Sequence, residues 1–500
     1  MFRRCAAAFV PAAFVLAAGL MQPAVGAEKT MLTVDHSNDA ATLDPQLQWD
    51  PDSYAIYRNI YDNLLTRDTA GNIVPQIATA WHVVNPTTMD FDIRSGVTFQ
   101  DGSKLTADDV VFSIMRIIDP KLHSAQLSQF DQIASAQALS PTKVRVVTKS
   151  PYPVLLAQLV KLSIVPKAYV QKLGDAAFNV TPMGSGPYKF VSWQKGVAVT
   201  LAARAHYWRG KPPFAKVVFR AVPDVATRIA DLQTGRADIA MTIPPDQAIS
   251  MKKDKALEVL SVASERVGYL FLNAEHGPTK DVRVRRDIAM GIDKAGLVDA
   301  LLQGFGRPVD SIGAPPIFGY SPDAPKIGYH PKAARALIVA AGAKGAALTF
   351  LTSPAYDRRV VEALQQMIDD IGLKVKIVTL DMASYLARRE GAPAEAGNLA
   401  LGVWSCGCQD ADGVIYPLFR TGSNWSKFSN PKFDRAVDAA RSTLDTKARL
   451  ADYKTAYDIL GRDVAGVGLY QSYAIYGASR HLRWTPTPNE SFFIMDMSWK

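Results

Sequence analysis

Along this 500-residue chain the apolar positions switch repeatedly between a two-residue and a three-to-four-residue period. Met31 to Asp35 reads as an opening strand. From Asp52 to Leu65, Ile56, Tyr57, Ile60, Tyr61 and Leu64 recur at helical spacing and predict a helix. Met89 to Ile93 alternates as a strand. Thr106 then offers an N-cap with Asp109 three residues on, and Val110, Val111, Ile114, Met115 and Ile118 form an apolar stripe, so a helix opens there. Lys143 to Thr148 and Val217 to Ala221 read as further strands, the second followed by a helix from Asp224 to Thr234 that stops at Gly235. Pro331 suits the first position of a helix ending near Gly342. Leu348 to Thr352 and Val375 to Leu380 are strands flanking a helix from Tyr356 to Ile371, and Pro431 to Ala440 and Lys447 to Arg462 are helices. Strands alternating with helices imply an α/β fold. Pro182, Gly184, Gly186 and Pro187 mark a tight turn that brings backbone close to a neighbour or a ligand.

The N-terminus changes this picture. Arg3 and Arg4 precede an uncharged apolar run from Ala6 to Met21, and Val25-Gly26-Ala27 offers a cleavage site, so a secretory signal (residues 1–27) and a mature start at Glu28 are expected. The run is interrupted by Pro11 and is shorter than the ~20 residues of a membrane span. Cys5 precedes the run, whereas a lipoprotein cysteine would follow it, so a free periplasmic protein is expected. The length suits two or three lobes at roughly 150 residues each. Of 56 basic residues two leave with the signal, and 54 against 47 acidic gives a net +7. Such charge could attract anions or nucleic acid. The cations are scattered, however, and export argues against nucleic acid.

Candidate chemistry is sparse. The seven histidines (His36, His82, His123, His206, His276, His330, His481) never lie three to five residues apart, which argues against a histidine metal centre. There is no nucleophile elbow, Walker A loop or intact dinucleotide fingerprint, so no enzyme and no cofactor is expected. Cys406 and Cys408 are the only cysteines after the signal. In an extended strand they would share a face about 6.6 Å apart, near the limit for a disulfide. Gly407 would help the backbone bend. A strained bridge, two free thiols, or a metal or reactive-thiol role remain open; two thiols alone make an incomplete zinc site.

A series of segments in fixed order then adds a resemblance. These are "TLDPQ" (Thr42 to Gln46), "YRNIYDNLL", "NIVPQIATAW", "MDFDIRSGVTFQDGSKLTADDVVFSIMRI" (Met89 to Ile117), "PMGSGPYKFVSW" (Pro182 to Trp193) and "HYWRGKPPFAKVVFRAVPD" (His206 to Asp224). Their order resembles the extracytoplasmic solute-binding proteins of peptide- and nickel-type ABC importers. The resemblance implies a two-lobed, hinged periplasmic-binding-protein fold that closes on its ligand. Residues 28–70, 182–267 and 478–500 would form the first-lobe core, 71–181 an extra subdomain and 268–477 the second lobe. Gly268 would begin the strand that crosses into the second lobe, followed by a helix from Val282 to about Leu302 with Arg283, Arg285 and Arg286 on a solvated or ion-paired face. The final segment from His481 would return to the first lobe.

The same resemblance suggests ligand contacts. Ser37, Asn38 and Asp39 align with main-chain contacts, and Tyr269 and Trp404 could supply apolar walls. Arg358 and Arg359 stand near the family's partner for a ligand carboxylate, a role that suits the guanidinium fork. The segment Trp404-Ser405-Cys406-Gly407-Cys408-Gln409-Asp410 resembles the ligand-lining stretch. Peptide binders carry an acid three residues after that Trp to pair with a free amino terminus; here Gly407 stands in its place. Asp410 or Asp412 could substitute, or could cap the next helix. The expected function is capture of a peptide-like or other small polar organic solute by a monomer that delivers it to an inner-membrane permease. Modified peptides, opine-like conjugates, oligosaccharides and aromatic acids are ligand alternatives. A metal-chelate or haem carrier would rest on the cysteine pair, and a periplasmic hydrolase has no motif behind it.

Overall fold

The computed structural model describes residues 30–47, 50–68, 70–315, 317–354 and 356–500. The expected signal segment lies outside them. Met31–His36 is the centre of the first lobe: Leu32 and Val34 are fully buried, and the strand runs parallel to both Lys216–Ala221 and Ile239–Ala240. The antiparallel pair Tyr188–Gln194 and Ala198–Ala203 extends the sheet on the far side of Lys216–Ala221. In the second lobe Ala347–Thr352 lies parallel to Lys374–Thr379 and to Leu399–Trp404. Two long strands, Leu257–Leu272 and Gly466–Ser479, cross between the lobes as an antiparallel pair and join everything into one eleven-stranded sheet among the described residues. The α/β, two-lobed expectation is met.

A separate four-stranded antiparallel sheet is built from Ala78–Asn85, Thr88–Ile93, Lys143–Thr148 and Ile133–Ser140. The helix Ala107–Ile117 packs Val110 and Ile114 into the same core as Phe91, Val144 and Val146. Its start follows the capping rule, with the Asp109 carboxylate accepting from the Thr106 N–H at 2.9 Å.

The crossing pair does not run in simple register. Ala263 faces Tyr473, but Val267 faces Gln471, so Ser264, Glu265 and Arg266 are accommodated opposite Ser472. Such a bulge bends a strand and twists the ladder. The chain spends it at the crossing point, where Arg266 pairs with Glu490 of the C-terminal segment at 2.6 Å. Gly466–Ser479 carries glycines and buried polar residues such as Gln471, so no clean period in the sequence announces it.

Two helices are shorter than the spacing predicts. The helix expected to Leu65 ends at Tyr57. Beyond it the Ile60 carbonyl accepts from Gly186 N–H and the Asn59 carbonyl from Tyr188 N–H, so the tight turn captures the backbone. The helix expected from Val282 to Leu302 stops at Gly291 and restarts at Lys294, capped by Asp293, before a π-type turn at Val298–Leu302.

That capture requires glycine. A Cβ on Gly184 would lie 2.3 Å from the Ile60 oxygen, and one on Gly186 2.6 Å from the Ile60 carbon. The tight turn therefore approaches a neighbouring backbone. Gly184→Ala is expected to cost about 1–3 kcal/mol of stability through overpacking against a fixed carbonyl, measured by urea unfolding; an unchanged midpoint would contradict the close approach.

Candidate functional site

The site starts from one buried carboxylate. Asp62 is fully buried in the first lobe and accepts from four neutral donors: Tyr207 Oη at 2.7 Å, Ser185 Oγ and Gln76 Nε2 at 2.9 Å, and Trp208 Nε1 at 3.0 Å. These bonds satisfy it without a cation. They also aim its partners. The Gln76 side-chain oxygen accepts from Arg58 Nη2 at 3.2 Å, and the Gln76 carbonyl accepts from Arg94 Nε at 3.0 Å. The Trp208 ring lies 4.3 Å beneath the Arg94 guanidinium, a cation–π arrangement.

Arg58 and Arg94 face a cavity of about 490 Å³. Its wall holds five cationic side chains, Arg58, Arg67, Arg94, Lys161 and Arg209, against two acidic ones, Asp68 and Asp496. Arg209 is partly answered by Asp496 at 3.7 Å. Arg58 is different: it is 3% exposed, no carboxylate lies within 4 Å among the described residues, and its Nε and Nη1 have no hydrogen-bond partner there. Its guanidinium stacks 5.3 Å from Phe493. A buried guanidinium with two open N–H edges is costly to fold and well shaped for an anion.

Arg67 closes the cavity. Nη1 donates to the Gly71 carbonyl and Nη2 to the Cys408 carbonyl, both at 2.6 Å, so this first-lobe side chain holds the Cys406–Cys408 turn. Burial pulls its pKa below the usual arginine value despite Glu265 and Asp410 nearby. Arg67 and the adjoining Cys408, Gln409 and Asp410 also line a second cavity of about 500 Å³, with apolar Ile73, Leu156, Ile317 and Phe318 in its wall. Deeper in, the Lys161 ammonium donates to Gln129 at 2.8 Å. Burial pushes the Glu265 carboxyl, in the crossing-strand bulge, up to about 8 and the Lys161 ammonium down to about 8; each is the main charge opposing the other's shift.

The cysteines are joined. Cys406 and Cys408 form a disulfide with Cα atoms 5.0 Å apart. This is closer than an extended strand allows because the chain turns at Gly407, and Gln409 follows in a left-handed conformation (φ 52°). Gly413, in the next helix (Asp412–Phe419), leaves room for both sulfurs; a Cβ there would sit 2.2 Å from Cys406 Sγ.

The residues suggested by sequence divide sharply. Gly407 lines the first cavity, and Cys408 and Asp410 the second. Ser37, Asn38, Asp39, Tyr269, Arg358, Trp404, Ser405 and Cys406 line neither. Asn38 donates to Asp52 and to Ser37, while Asp39 accepts from Trp193 and Gly196 of the neighbouring hairpin. Tyr269 is 3% exposed, with its ring lying over Gly402 inside the second lobe. Trp404 donates to the Gly413 carbonyl at 2.9 Å and meets Trp425 edge-on. Arg358 is 87% exposed and pairs with Glu362, and Arg359 pairs with its own N-cap, Asp357. Asp410 is buried against Arg449 (2.8 Å) and Tyr453 (3.0 Å), so its charge is already committed. Asp412 faces Arg441 at 3.4 Å, and burial pushes its carboxyl up to about 6.

Sequence reading missed Arg58, Gln76, Arg94, Lys161 and Trp208. The available signal was Arg58 itself, a lone cation in the aromatic stretch Tyr54 to Tyr61 and four residues before Asp62.

Two lobes joined by a pair of crossing strands, with a cationic cavity in the first lobe that the second-lobe Gly407 adjoins, are the architecture of a solute-binding protein. The model of the bacterial extracellular solute-binding proteins, family 5 (middle region), matches residues 72–426, and the chain belongs to that family. It is accordingly the solute-binding component of an ABC importer. Glutathione-binding protein GsiB of Shigella boydii is 28% identical over 484 residues, covering 93% of this chain and 94% of that protein. The periplasmic binding protein DppA of Helicobacter pylori, solved with the peptide STSA, matches with a TM-score of 0.80 and 25% identity, covering 94% of this chain and 98% of its own. CtaP of Listeria monocytogenes shares the fold at a TM-score of 0.86 and 21% identity, with 94% and 99% covered. No helix of the described residues is long and apolar enough to cross a membrane.

Two outcomes follow for the turn. Asp410→Asn should cost roughly 3–5 kcal/mol of stability, because it leaves Arg449 buried without its counter-charge; a urea midpoint within error of wild type would refute that role. Asp412 has a raised pKa, so its contribution is present below about pH 4 and is lost as pH rises through about 6. The stability difference between wild type and Asp412→Asn should therefore fall by roughly 2–3 kcal/mol between pH 4 and pH 7. A pH-independent difference would count against burial as the cause.

Proposed function

We propose that the cationic first-lobe cavity beside the Cys406–Cys408 turn captures a small anionic, peptide-like solute of about tripeptide size, bearing more than one carboxylate. The carrying observation is Arg58: buried, lining the cavity beside Asp496 but with no carboxylate within 4 Å among the described residues, and with Nε and Nη1 unbonded. Arg67, Arg94, Lys161 and Arg209 add cationic surroundings, and stacked Trp208 and Phe493 keep the guanidiniums in place. A tripeptide with two free carboxylates, such as the glutathione named for the GsiB relatives, has this chemistry. The missing acid at Gly407 agrees with a ligand recognised mainly through its anionic groups. Closure over the solute would follow the hinge logic of a ligand that binds one conformer better.

In this reading the chain is exported by its N-terminal signal, works as a periplasmic monomer, performs no chemistry on its solute during transport, and hands it to a membrane permease. Cavity size and charge favour a dicarboxylate over a neutral sugar or a metal chelate. Micromolar affinity corresponds to about −8 kcal/mol, and a charge-assisted hydrogen bond contributes roughly 1.5–3 kcal/mol of it. Glutathione should bind with an affinity that weakens in high salt. Arg58→Ala should weaken it about ten- to a hundredfold, whereas Arg358→Ala should change it less than about twofold. Isothermal titration of the three proteins decides this. Equal affinities for wild type and Arg58→Ala, or tighter binding of a neutral dipeptide amide than of glutathione, would refute the reading.

A further inference from the structure

The second lobe meets the subdomain of the four-stranded sheet through the chain around the disulfide. Cys408 is fully buried in the same apolar cluster as Tyr152, Val154 and Leu155 of that subdomain, and Arg67 holds its carbonyl. Four residues on, Asp412 opens the helix Asp412–Phe419. Asp412 is 4% exposed and faces Arg441 of the helix Pro431–Ser442, with Oδ1 and Nε 3.4 Å apart. The contact is an ion pair without a hydrogen bond, since neither atom has a bonding partner among the described residues. The Arg441 guanidinium lies 4.1 Å from the Tyr416 ring of its own lobe and 6.0 Å from the Tyr152 ring of the subdomain. Tyr152 is itself buried. A buried ion pair thus stands at a junction that a hinge motion would separate.

Closure acts unequally on the two forms of Asp412. Packing Tyr152 over the pair keeps water from the carboxylate, which disfavours its charged form. Closure also brings up Asp131, two residues before the strand Ile133–Ser140, whose like charge acts in the same direction. Arg441 opposes both effects, but it belongs to the second lobe and stays with Asp412 when the lobes part. The other ionisable neighbours are also on the second lobe: Asp410 is paired with Arg449 and accepts from Tyr453. Burial is the largest of these effects and pushes the Asp412 carboxyl up to about 6.

We infer that Asp412 and Arg441 form a proton-operated latch against Tyr152, in which protonation of Asp412 strengthens closure of the second lobe on the subdomain. The inference does not depend on which solute is bound. A neutral acid loses less than a carboxylate on leaving water. In the closed form the group titrates near 6, and once exposed it returns toward the ordinary value of about 3.9. The closed form therefore holds more protons between these limits. The latch is at full strength below about pH 4 and is lost as pH rises through about 6. Between pH 5 and pH 7.5 the closed-to-open ratio falls about tenfold. A solute that binds the closed form alone is then held more tightly in acid.

The test is single-molecule energy transfer between two dyes on the mature protein, dialysed free of solute. Val83→Cys and Val339→Cys put the dyes on exposed positions of the subdomain and the second lobe, while the native cysteines stay in their disulfide. In this background the closed-to-open ratio should be about tenfold higher at pH 5 than at pH 7.5. Asp412→Asn, the uncharged isostere, should keep the high ratio at both. Tyr152→Ala, which uncovers the pair, should lower the ratio at pH 5 and flatten its response to pH. Glu265→Gln, which neutralises the buried acid of the crossing-strand bulge, should leave the response in place. Either Asp412→Asn or Tyr152→Ala decides the matter if the other fails to fold. An equal ratio at both pH values in the parent would overturn the latch. So would a response that survives in Asp412→Asn or Tyr152→Ala, or one that vanishes in Glu265→Gln.

Discussion

The site depends on how Asp62 is neutralised. A buried carboxylate ordinarily takes the nearest cation as its partner, and Arg58 is four residues away. Here Tyr207, Ser185, Gln76 and Trp208 supply four neutral hydrogen bonds instead. The carboxylate is satisfied, and Arg58 is left with Nε and Nη1 unbonded and buried at the edge of a cavity. Removing the charged edge of a guanidinium from water without compensation is unfavourable. In the proposed reading a ligand anion would offset that cost, exchanging stability for affinity at one residue.

The crossing strands make the arrangement mechanical. Leu257–Leu272 and Gly466–Ser479 are the continuous backbone links inside the sheet from lobe to lobe, and their bulge sits beside the C-terminal segment that also lines the cavity. Glu265 of the bulge and Lys161 of the first lobe share a buried, mutually opposed charge environment. Across the gap, the bond from Arg67 to the Cys408 carbonyl is a direct first-lobe contact with the second-lobe turn. A solute that engages Arg58 and Arg67 together is positioned to bias the lobes toward the closed arrangement, since only a difference in affinity between two states shifts their balance.

Much of the scaffold could be read from the chain. Thr106 and Asp109 announced a capped helix, the alternation of Met89 to Ile93 announced a strand, and the glycines at 184 and 186 announced a close approach. These features are local, set by neighbours a few residues away. The helix beginning at Pro51 was overread because Ile60, Tyr61 and Leu64 are apolar for another reason: they pack in non-helical backbone held by Gly186. The return strand escaped notice because its glycines and Gln471 break the period. The cavity wall was least legible. Arg58, Arg94, Lys161 and Trp208 lie as much as 150 residues apart, and only the Asp62–Gln76 network reveals that they converge. Asp410 and Tyr269 also have functional-looking chemistry; the structure buries the first against Arg449, at the edge of the second cavity, and the second in the second-lobe core.

The most direct measurement is a crystal structure of the mature protein with the solute it retains through purification under native conditions. The expected result is an anionic solute between the lobes, with a carboxylate oxygen within about 3.2 Å of Arg58 Nε or Nη1. A retained solute without an anionic group, or one bound with Arg58 still unpartnered, would contradict the claim that this guanidinium selects the cargo.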